Sequence, residues 1–246
     1  IAFNDDAMTN VITVLHCIAR GDELYSFVDQ ARRDRAAVAV EKGIDCILKT
    51  QIVVNGKLTA WCAQHHLRTL EPQTARSYEP PSISGMESVG IVRFLMSIED
   101  PSPEVVASIE SAVAWFESAK LTGIRQDRIE DDSLELGYDL VVVEDETAPP
   151  LWARFYDLET SKAIFPDRDG SVYESMNDLS YERRTGYRYM TDRPTSMLYE
   201  EYPAWKQARQ RETLNSMLPY IILAVVAFVV LLCIAIVGFS LWRRRR

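Results

Sequence analysis

An uncharged apolar run near the carboxyl end constrains this chain more than any other feature. Residues 218–242, LPYIILAVVAFVVLLCIAIVGFSLW, carry no charged side chain and are followed directly by four arginines. A helix of about 20 apolar residues can cross a bilayer. A buried core helix is the alternative, but such a helix seldom lacks polar residues on every face. We therefore predict a transmembrane helix over residues 217–242.

Charge sets the expected topology and narrows the range of partners. Basic residues beside a span stay in the cytoplasm, so residues 243–246 are predicted to be a cytoplasmic tail and the rest to lie outside, in the periplasm or at the cell surface. A run of this kind is also typical of sorting tails that are cleaved after export. The 27 Lys and Arg residues fall to 23 without the four terminal arginines, against 36 Asp and Glu, a net charge of −13. This acidity argues against nucleic acid as a partner.

Hydrophobic periodicity predicts helices in the first half of the chain. Apolar residues recur at helical spacing from Ala7 to Ile18 and again within residues 27–50. The segments SGMESVGIVRFLMSI and PEVVASIESAVAWFESAK each predict an amphipathic helix, and Pro103 suits the first turn of the second. Helices in antiparallel pairs, joined by long connections, are the expected arrangement.

The second half contains shorter predicted elements. Residues 125–137 are polar and are predicted to be a linker, whereas YDLVVVED and LWARFYDL are typical of short strands. Residues 190–216 are polar, contain two prolines, and are predicted to be a tether. The chain starts with isoleucine and shows no signal sequence, so we expect a fragment or a processed product.

Two groups of polar residues are candidates for binding. Asn4, Asp5 and Asp6 adjoin a predicted helix start, where they would either cap the helix or ligate calcium. The loop of residues 56–82, GKLTAWCAQHHLRTLEPQTARSYEPPS, contains His65 and His66. Adjacent histidines without a third nearby ligand do not predict a zinc site, so a hydrogen-bonding histidine in a cleft is expected.

Three arginines have aromatic or acidic neighbours. Arg76, Arg154 and Arg168 lie in ARSYE, LWARFYD and FPDRDG. The guanidinium group binds carboxylates through two parallel hydrogen bonds, although a surface ion pair is the commoner role for any single arginine.

Taken together, four ordered motifs resemble one known family. FNDDAMTNV, the segment from GKLTAW to RFLM, PPLWARFYDLETSKAIFPDRDG and YERRTGY are similar to the family 10 polysaccharide lyases, the helical pectate lyases. The resemblance implies a mainly α fold, an incomplete α/α toroid of antiparallel helix pairs with a few short strands, plus the C-terminal transmembrane helix. Residues 1–189 would be the catalytic domain without its N-terminal part.

The resemblance also implies a reaction and roles for particular residues. It implies calcium-dependent β-elimination of polygalacturonate, in which Arg76 takes the C5 proton. Asp5 matches a calcium ligand, with Asp6 beside it. Arg154 and Arg168 match arginines that hold substrate carboxylates, and His65 lies on the same rim. An arginine base is unusual because its pKa is above 12, and surrounding cations are expected to lower it.

Two departures from the family pattern weaken these expectations. His66 stands where the family usually has an aspartate, and a second acidic motif that precedes FNDD in the family is missing. The fragment by itself is therefore predicted to be inactive. The alternative interpretation is an inactive, membrane-tethered pectin-binding domain. The pattern leaves open endo or exo action, the preferred methylation of pectin, and the oligomeric state.

Overall fold

Helices form most of the first half of the chain, where the periodicity predicts them. In the structure, a computed structural model, these are α1 (Ala7–Arg20), α2 (Gln30–Thr50), α3 (Glu87–Met96) and α4 (Pro103–Ser118). Helix α1 packs against α2, and α3 packs against α4. Asp29 and Ser102 cap α2 and α4, since each side chain accepts a backbone N–H from the first turn. Helix α1 also contacts α3, and α2 contacts α4, so that the four helices pack together.

Antiparallel strands are the main regular elements between Ile124 and Thr191. The strands in the described part of the chain are β1 (Val53–Val54), β2 (Lys57–Leu58), β3 (Ile83–Ser84), β4 (Ile124–Glu130), β5 (Tyr138–Glu144), β6 (Trp152–Ala153), β7 (Phe155–Tyr156), β8 (Ala163–Pro166), β9 (Val172–Tyr173) and β10 (Met190–Thr191). A four-stranded sheet has the order β3-β7-β8-β9, and β1 with β2, β4 with β5, and β6 with β10 form separate antiparallel pairs.

The β4–β5 hairpin lies where the sequence predicted a linker. Its register runs from Ile124 opposite Glu144 to Glu130 opposite Tyr138, so residues 125–130 are a strand and not part of a linker. The prediction was wrong because β4 is mostly polar, and its charged side chains are satisfied locally. Arg125, for example, pairs with Asp127 and Asp145. Charged pairs of this kind stabilise an exposed ribbon that hydrophobic periodicity does not reveal.

Buried aromatic residues join the helices to the strands. The Trp61 indole donates to the Ile47 carbonyl of α2 at 2.7 Å, and the Trp152 indole donates to the Phe116 carbonyl of α4 at 2.8 Å. The Tyr156 hydroxyl donates to the Ala119 carbonyl at 2.8 Å. All three aromatic side chains are almost fully buried. The polar end of each ring therefore satisfies a backbone group within the core, which sets the strands against the helix pairs.

The predicted fold class, a mainly α toroid, is wrong. The helix pairs end with α4, and the chain from Ile124 to Thr191 is built largely from antiparallel sheets, with the short helix α5 (Tyr181–Gly186) between β9 and β10. The strands are numerous because this part of the sequence lacks the long three-and-four repeats of apolar residues that pair helices. The described structure combines helix pairs with antiparallel sheets.

The chain divides into two units, Ile1–Glu200 and Glu201–Arg246. The first unit includes the short helix α6 (Pro194–Ser196) and the buried side chains of Met190, Met197 and Leu198, all within the first part of the predicted tether. The second unit contains α7 (Tyr202–Arg243). The predicted boundaries at 1–189, 190–216, 217–242 and 243–246 remain predictions.

The prediction of a transmembrane helix and of a membrane-anchored location is corrected. Among the residues that the structure describes, no helix combines the length and the apolarity that a membrane crossing requires. The description covers residues 1–243, without the side chains of residues 221, 225–227 and 229–243. Most of the predicted span at 217–242 and the predicted tail at 243–246 therefore lie outside the residues described in full.

Candidate active site

The loop of residues 56–82 is held together by the buried side chain of His65. The Nδ1 atom of His65 donates to the Leu70 carbonyl at 2.9 Å, and Nε2 accepts the Cys62 N–H at 3.1 Å. Only 2% of His65 is exposed, and this burial lowers the pKa of its imidazole. Both ring nitrogens are bonded to backbone groups, so the structure places His65 inside the loop and not on a binding rim.

We expect His65 to make the stability of the fold depend on pH. The pKa of His65 is lowered from its ordinary value of 6.5, so the unfolded chain binds a proton more readily. The stabilisation is fully present above pH 6.5 and is lost as the pH falls from 6.5 through the folded pKa. Urea unfolding between pH 7.5 and 5 should show a steeper loss of stability for the natural protein than for His65→Gln. Equal slopes would contradict this expectation.

His66 caps a turn in the same loop. Its Nδ1 accepts the backbone N–H groups of Thr69 at 3.1 Å and Arg68 at 3.3 Å. Aspartate commonly accepts such N–H groups in turns. The histidine in place of the expected aspartate therefore keeps the acceptor that the turn needs, while it removes a carboxylate from this exposed position.

Asp5 and Asp6 lie in a strained segment beside this loop. Both residues have left-handed backbones, with φ of 50° and 58°. Each such conformation costs on the order of 1–3 kcal/mol and is typical of functional sites. The segment is held by the Ala63 carbonyl, which accepts the Phe3 N–H at 2.8 Å and the Asn4 N–H at 3.2 Å. The predicted capping role is wrong, because no side chain caps the start of α1.

The two aspartates differ in what they can bind. The Asp5 side chain is 77% exposed, and its Oδ1 lies 3.7 Å from Nη2 of Arg154. The Asp6 side chain is 19% exposed, and its Oδ2 accepts from Arg193. Its Oδ1 is buried and has no hydrogen-bond partner among the residues that the structure describes. Only Asp5 presents a carboxylate that is open to a ligand.

Gly90 of α3 allows the close approach of Asp6. A Cβ atom added at Gly90 would lie 2.2 Å from Oδ1 of Asp6, a distance that real atoms do not reach. The missing side chain at position 90 thus lets the strained segment pack directly on the backbone of α3. Asp6 therefore helps to pack this segment against α3.

Arg154 is buried and is held by a carboxylate from α3. Its side chain is 7% exposed and donates through Nη2 to Glu87, which is 1% exposed. The other carboxylate oxygen of Glu87 accepts from Ser84. Burial by itself lowers the pKa of Arg154, but the charges of Glu87 and Asp5 outweigh it, so that the pKa is raised. The guanidinium also lies 4.8 Å from the ring centre of Tyr187.

Arg76 is exposed and is positioned by its neighbours in the loop. Its Nη1 donates to the Tyr78 hydroxyl at 2.8 Å, and its Nε lies 3.5 Å from Oε2 of Glu79. The Arg76 side chain is 60% exposed. The hydrogen bond to Tyr78, followed by the charge of Glu79, raises the pKa of Arg76. In this structure the group is a cation at the surface, contrary to the expectation that cations around it would lower the pKa.

Arg168 and Arg183 approach the same tyrosine ring. Their guanidinium carbons lie 5.5 Å and 4.4 Å from the ring centre of Tyr78, which is itself buried. Both arginines donate to Glu182, and the bond from Arg168 lowers the pKa of Glu182 to about 2. Arg168 is exposed, whereas Arg183 is buried with one guanidinium nitrogen unpartnered. Arg168 is therefore the one of this pair that a ligand can reach.

These contacts form one arginine–tyrosine cluster, defined by Arg76, Arg154, Arg168, Arg183, Tyr78 and Tyr187. The two tyrosine rings meet edge to face at 5.2 Å, and each has at least two guanidinium groups within 6 Å. Aromatic faces favour cations, so they hold four guanidinium groups close together with fewer carboxylates than ion pairs alone would need. The cluster suits a ligand that carries several carboxylates.

The structure brings together some predicted site residues and separates others. Arg76 and Arg168 both approach the ring of Tyr78, and Arg154 approaches Asp5. Four residues of the site were not singled out from the sequence. These are Tyr78, Glu79, Arg183 and Tyr187, all of which lie within ARSYE and YERRTGY. The sequence feature that could have identified them is that each lies close to an arginine of its motif.

Few of the residues present meet the needs of calcium. Calcium takes 6–8 oxygen ligands. No group of three or more His, Cys, Asp or Glu side chains in the described part of the chain is arranged to hold a metal. Asp5 fits the role of one ligand, because its carboxylate is exposed. Asp6 does not fit, because Arg193 occupies one oxygen and the other is buried against α3.

Comparison with known proteins gives a family and solved relatives. The family described as pectic acid lyase matches residues 1–198 of the chain. No curated protein matches the chain. Among solved structures, a family 10 polysaccharide lyase from Cellvibrio cellulosa is 37% identical, with a TM-score of 0.73 over 83% of this chain and 62% of that chain. These findings confirm the resemblance drawn from the sequence motifs.

A second solved structure adds a bound ligand. It is a mutant of the family 10 polysaccharide lyase from Cellvibrio cellulosa in complex with trigalacturonic acid, 38% identical with a TM-score of 0.71. The match covers 80% of this chain and 60% of that chain. The chain thus spans about 60% of the length of the solved structures that it matches.

Proposed function

The chain belongs to the pectic acid lyase family, and on that premise we propose that it acts in the cleavage of polygalacturonate by β-elimination. The observation that carries this proposal is the arginine–tyrosine cluster, in which Arg76 and Arg168 are exposed above a shared tyrosine ring. A polyuronate presents one carboxylate per sugar, and closely spaced guanidinium groups match that charge pattern. The related lyase in complex with trigalacturonic acid supports the same substrate class.

We propose that Arg76 is the base of this reaction. In β-elimination a base removes the C5 proton of a uronate, the electron pair of that C–H bond forms a 4,5 double bond, and the bond from C4 to the glycosidic oxygen breaks. The departing oxygen takes a proton from water and leaves as a hydroxyl group. Arg76 is exposed, and its orientation is set by Tyr78 and Glu79. Its raised pKa keeps it protonated in the resting state, so the neutral form that accepts the C5 proton becomes more abundant as pH rises. An alkaline optimum follows from this.

Arg168 and Arg154 are proposed to act at different depths. Arg168 is 59% exposed and is free to bind a substrate carboxylate once it partly releases Glu182. Arg154 is buried between Glu87 and Tyr187, and its Nη2 faces Asp5. Arg154 therefore holds Asp5 in orientation and adds positive charge beneath the substrate. His65 is proposed to support this rim indirectly, through the loop that it holds.

We also propose that the reaction uses calcium, with Asp5 as one of its protein ligands. When bound, calcium would neutralise the C6 carboxylate and so favour loss of the C5 proton. Asp5 is suited to the task because its carboxylate is exposed at the end of a strained segment whose backbone is anchored to Ala63. The remaining oxygens that calcium requires would include substrate carboxylates.

The proposal is tested by following the absorbance of the unsaturated product. Polygalacturonate is incubated between pH 7 and 10 with the purified natural full-length protein, with added calcium and with a chelator. A calcium-dependent rise that increases towards alkaline pH is the expected result. Retention of polygalacturonate on the protein without any unsaturated product would instead indicate a binding domain. The absence of both retention and unsaturated product would overturn the proposal.

We expect Asp5→Asn to weaken the dependence on calcium more than Asp6→Asn does. Removal of the exposed charge should raise the calcium concentration at half-maximal rate by about tenfold, within the 10- to 100-fold range typical of altered metal sites. Asp6→Asn should mainly lower stability, because Arg193 loses its charged partner. Calcium titrations of both variants measure this, with Asp132→Asn in the exposed hairpin turn as the control. Identical titrations for Asp5→Asn and Asp132→Asn would contradict the assignment of Asp5.

A further inference from the structure

Glu79 is a buried carboxylate that contacts two members of the arginine–tyrosine cluster, Arg76 and Tyr187. Only 3% of the residue is exposed. Its Oε1 accepts the Tyr187 hydroxyl at 2.8 Å. Its Oε2 accepts the Arg76 backbone N–H at 3.3 Å and lies 3.5 Å from Nε of the same arginine. One side chain thus contacts both the backbone and the guanidinium group of the proposed base.

The loop around Glu79 is closed on itself. The Ala75 N–H donates to the Glu79 carbonyl at 3.0 Å, and the Glu79 N–H donates to the Arg76 carbonyl at 2.9 Å. These bonds fix the backbone of residues 75–79, so the Glu79 side chain has little freedom to leave Arg76. Through Tyr187 the same carboxylate is tied to the ring on which Arg154 lies. Glu79 therefore links the exposed arginine to the buried one.

We propose that Glu79 is the positioning residue of this active site, which holds the Arg76 guanidinium in its reactive orientation relative to Tyr187 and Arg154. The inference rests on the proposed role of Arg76 as the base. Glu79 itself is buried and does not touch substrate, so its contribution is made through Arg76. A displacement of about 1 Å in a reacting group can cost on the order of 100-fold in rate, which is the scale of effect expected here.

The charge of Glu79 has a second effect, which gives the inference a distinct readout. The groups that face Arg76 are Tyr78 and Glu79 on its own loop and Tyr187 from the segment after α5. Arg168 and Arg183, with Glu182, lie around the Tyr78 ring. Glu79 is the one carboxylate in direct contact with Arg76 in the described part of the chain, and it favours the protonated form. Replacement of Glu79 by an uncharged residue should therefore allow Arg76 to lose its proton at lower pH.

The test compares Glu79→Gln, Glu79→Asp and the natural protein in rate measurements across pH. Glu79→Gln keeps an acceptor for Tyr187 but loses the charge. We expect kcat to fall by about 10- to 100-fold, KM to change by less than about twofold, and the ascending limb of the pH–rate profile to move to lower pH. Glu79→Asp keeps the charge but is one methylene shorter, so kcat should fall while the ascending limb stays at the same pH. Glu71→Gln, on the exposed part of the same loop, is the control and should change neither quantity.

A second measurement separates this inference from the proposed activity. The Nε–H resonance of Arg76, assigned with Arg76→Lys, reports how firmly the guanidinium is held. We expect slower exchange with water in the natural protein than in Glu79→Gln. If the natural protein produces no unsaturated product, the proposed function fails while this comparison still decides the role of Glu79. Unchanged exchange, or an unchanged kcat and pH profile in a folded Glu79→Gln protein, would overturn the inference.

Discussion

Arg76→Ala should lower kcat for polygalacturonate cleavage by about 100- to 10,000-fold, the usual contribution of a positioned general base. The effect should be this large because Arg76 is the exposed guanidinium group whose orientation is fixed by both Tyr78 and Glu79. Stability should change little, since the side chain is 60% exposed and its ion pair is weak. Product absorbance under saturating substrate and calcium, together with urea unfolding, measures the two quantities.

A matched control is available in the same loop. Arg68 is exposed, and it contacts His66 through its backbone N–H in the described structure. Arg68→Ala removes the same positive charge from the same loop and should leave kcat within about twofold of the natural value. A comparable loss of activity in both variants would show that net charge, and not the position of Arg76, supports the reaction. Full activity in Arg76→Ala would remove Arg76 from the mechanism.

Glu87→Ala should destabilise the first unit by about 3–5 kcal/mol, the range expected when one partner of a buried ion pair is removed. Glu87 is 1% exposed and Arg154 is 7% exposed, so loss of the carboxylate leaves a buried guanidinium without its main partner. Ser84 also loses the acceptor of its hydroxyl. Urea unfolding at neutral pH gives the change in the free energy of unfolding.

Two further variants separate the effect of the Glu87–Arg154 ion pair from a loss of packing. The double variant Glu87→Met with Arg154→Met should be more stable than Glu87→Ala, because no charge is then left buried alone. Glu130→Ala removes an ion pair with Arg128 in which both side chains are exposed, and it should cost less than about 1 kcal/mol. If Glu87→Ala and Glu130→Ala were equally mild, the Glu87–Arg154 pair would not stabilise the fold.

The helices were predicted well because their signals are local. Helix α4 begins at Pro103 after the capping residue Ser102, and α2 begins after Asp29, each with a side chain that satisfies a first-turn N–H. Apolar residues at intervals of three and four then bury one side of each helix. These features depend on neighbours within a few residues, so a linear sequence displays them.

The strands were harder to predict because most are short and depend on distant partners. Strand β3 pairs with β7, about 70 residues later in the chain, and β6 pairs with β10. Two-residue strands have no period long enough to recognise. Strand β4 is longer, but it is mostly polar, with charged residues paired across the hairpin, and its residues from 125 on were interpreted as a linker. The predicted fold class followed the family resemblance, which implied a mainly α toroid with only a few short strands.

The same distinction applies to the candidate site. The sequence motifs by themselves determined the family and the choice of Arg76, Arg154 and Arg168, because an ordered set of motifs is specific even when each one is weak. The motifs could not determine which of these side chains are exposed to solvent. Arg154 and His65 are buried, whereas Asp5 is open, and that difference depends on what packs over each side chain.

Only the tertiary structure decided which groups act together. Residues 75–79 and residues 182–187 are about 100 positions apart, yet Glu79 accepts from Tyr187, and Arg183 lies over Tyr78. The helix pairs and the four-stranded sheet bring these segments together, because their buried faces have to be covered. Helix periods and motif identity are properties of neighbouring residues and can be determined from the sequence. The charge balance around Arg76 arises from residues that meet only after the core has formed.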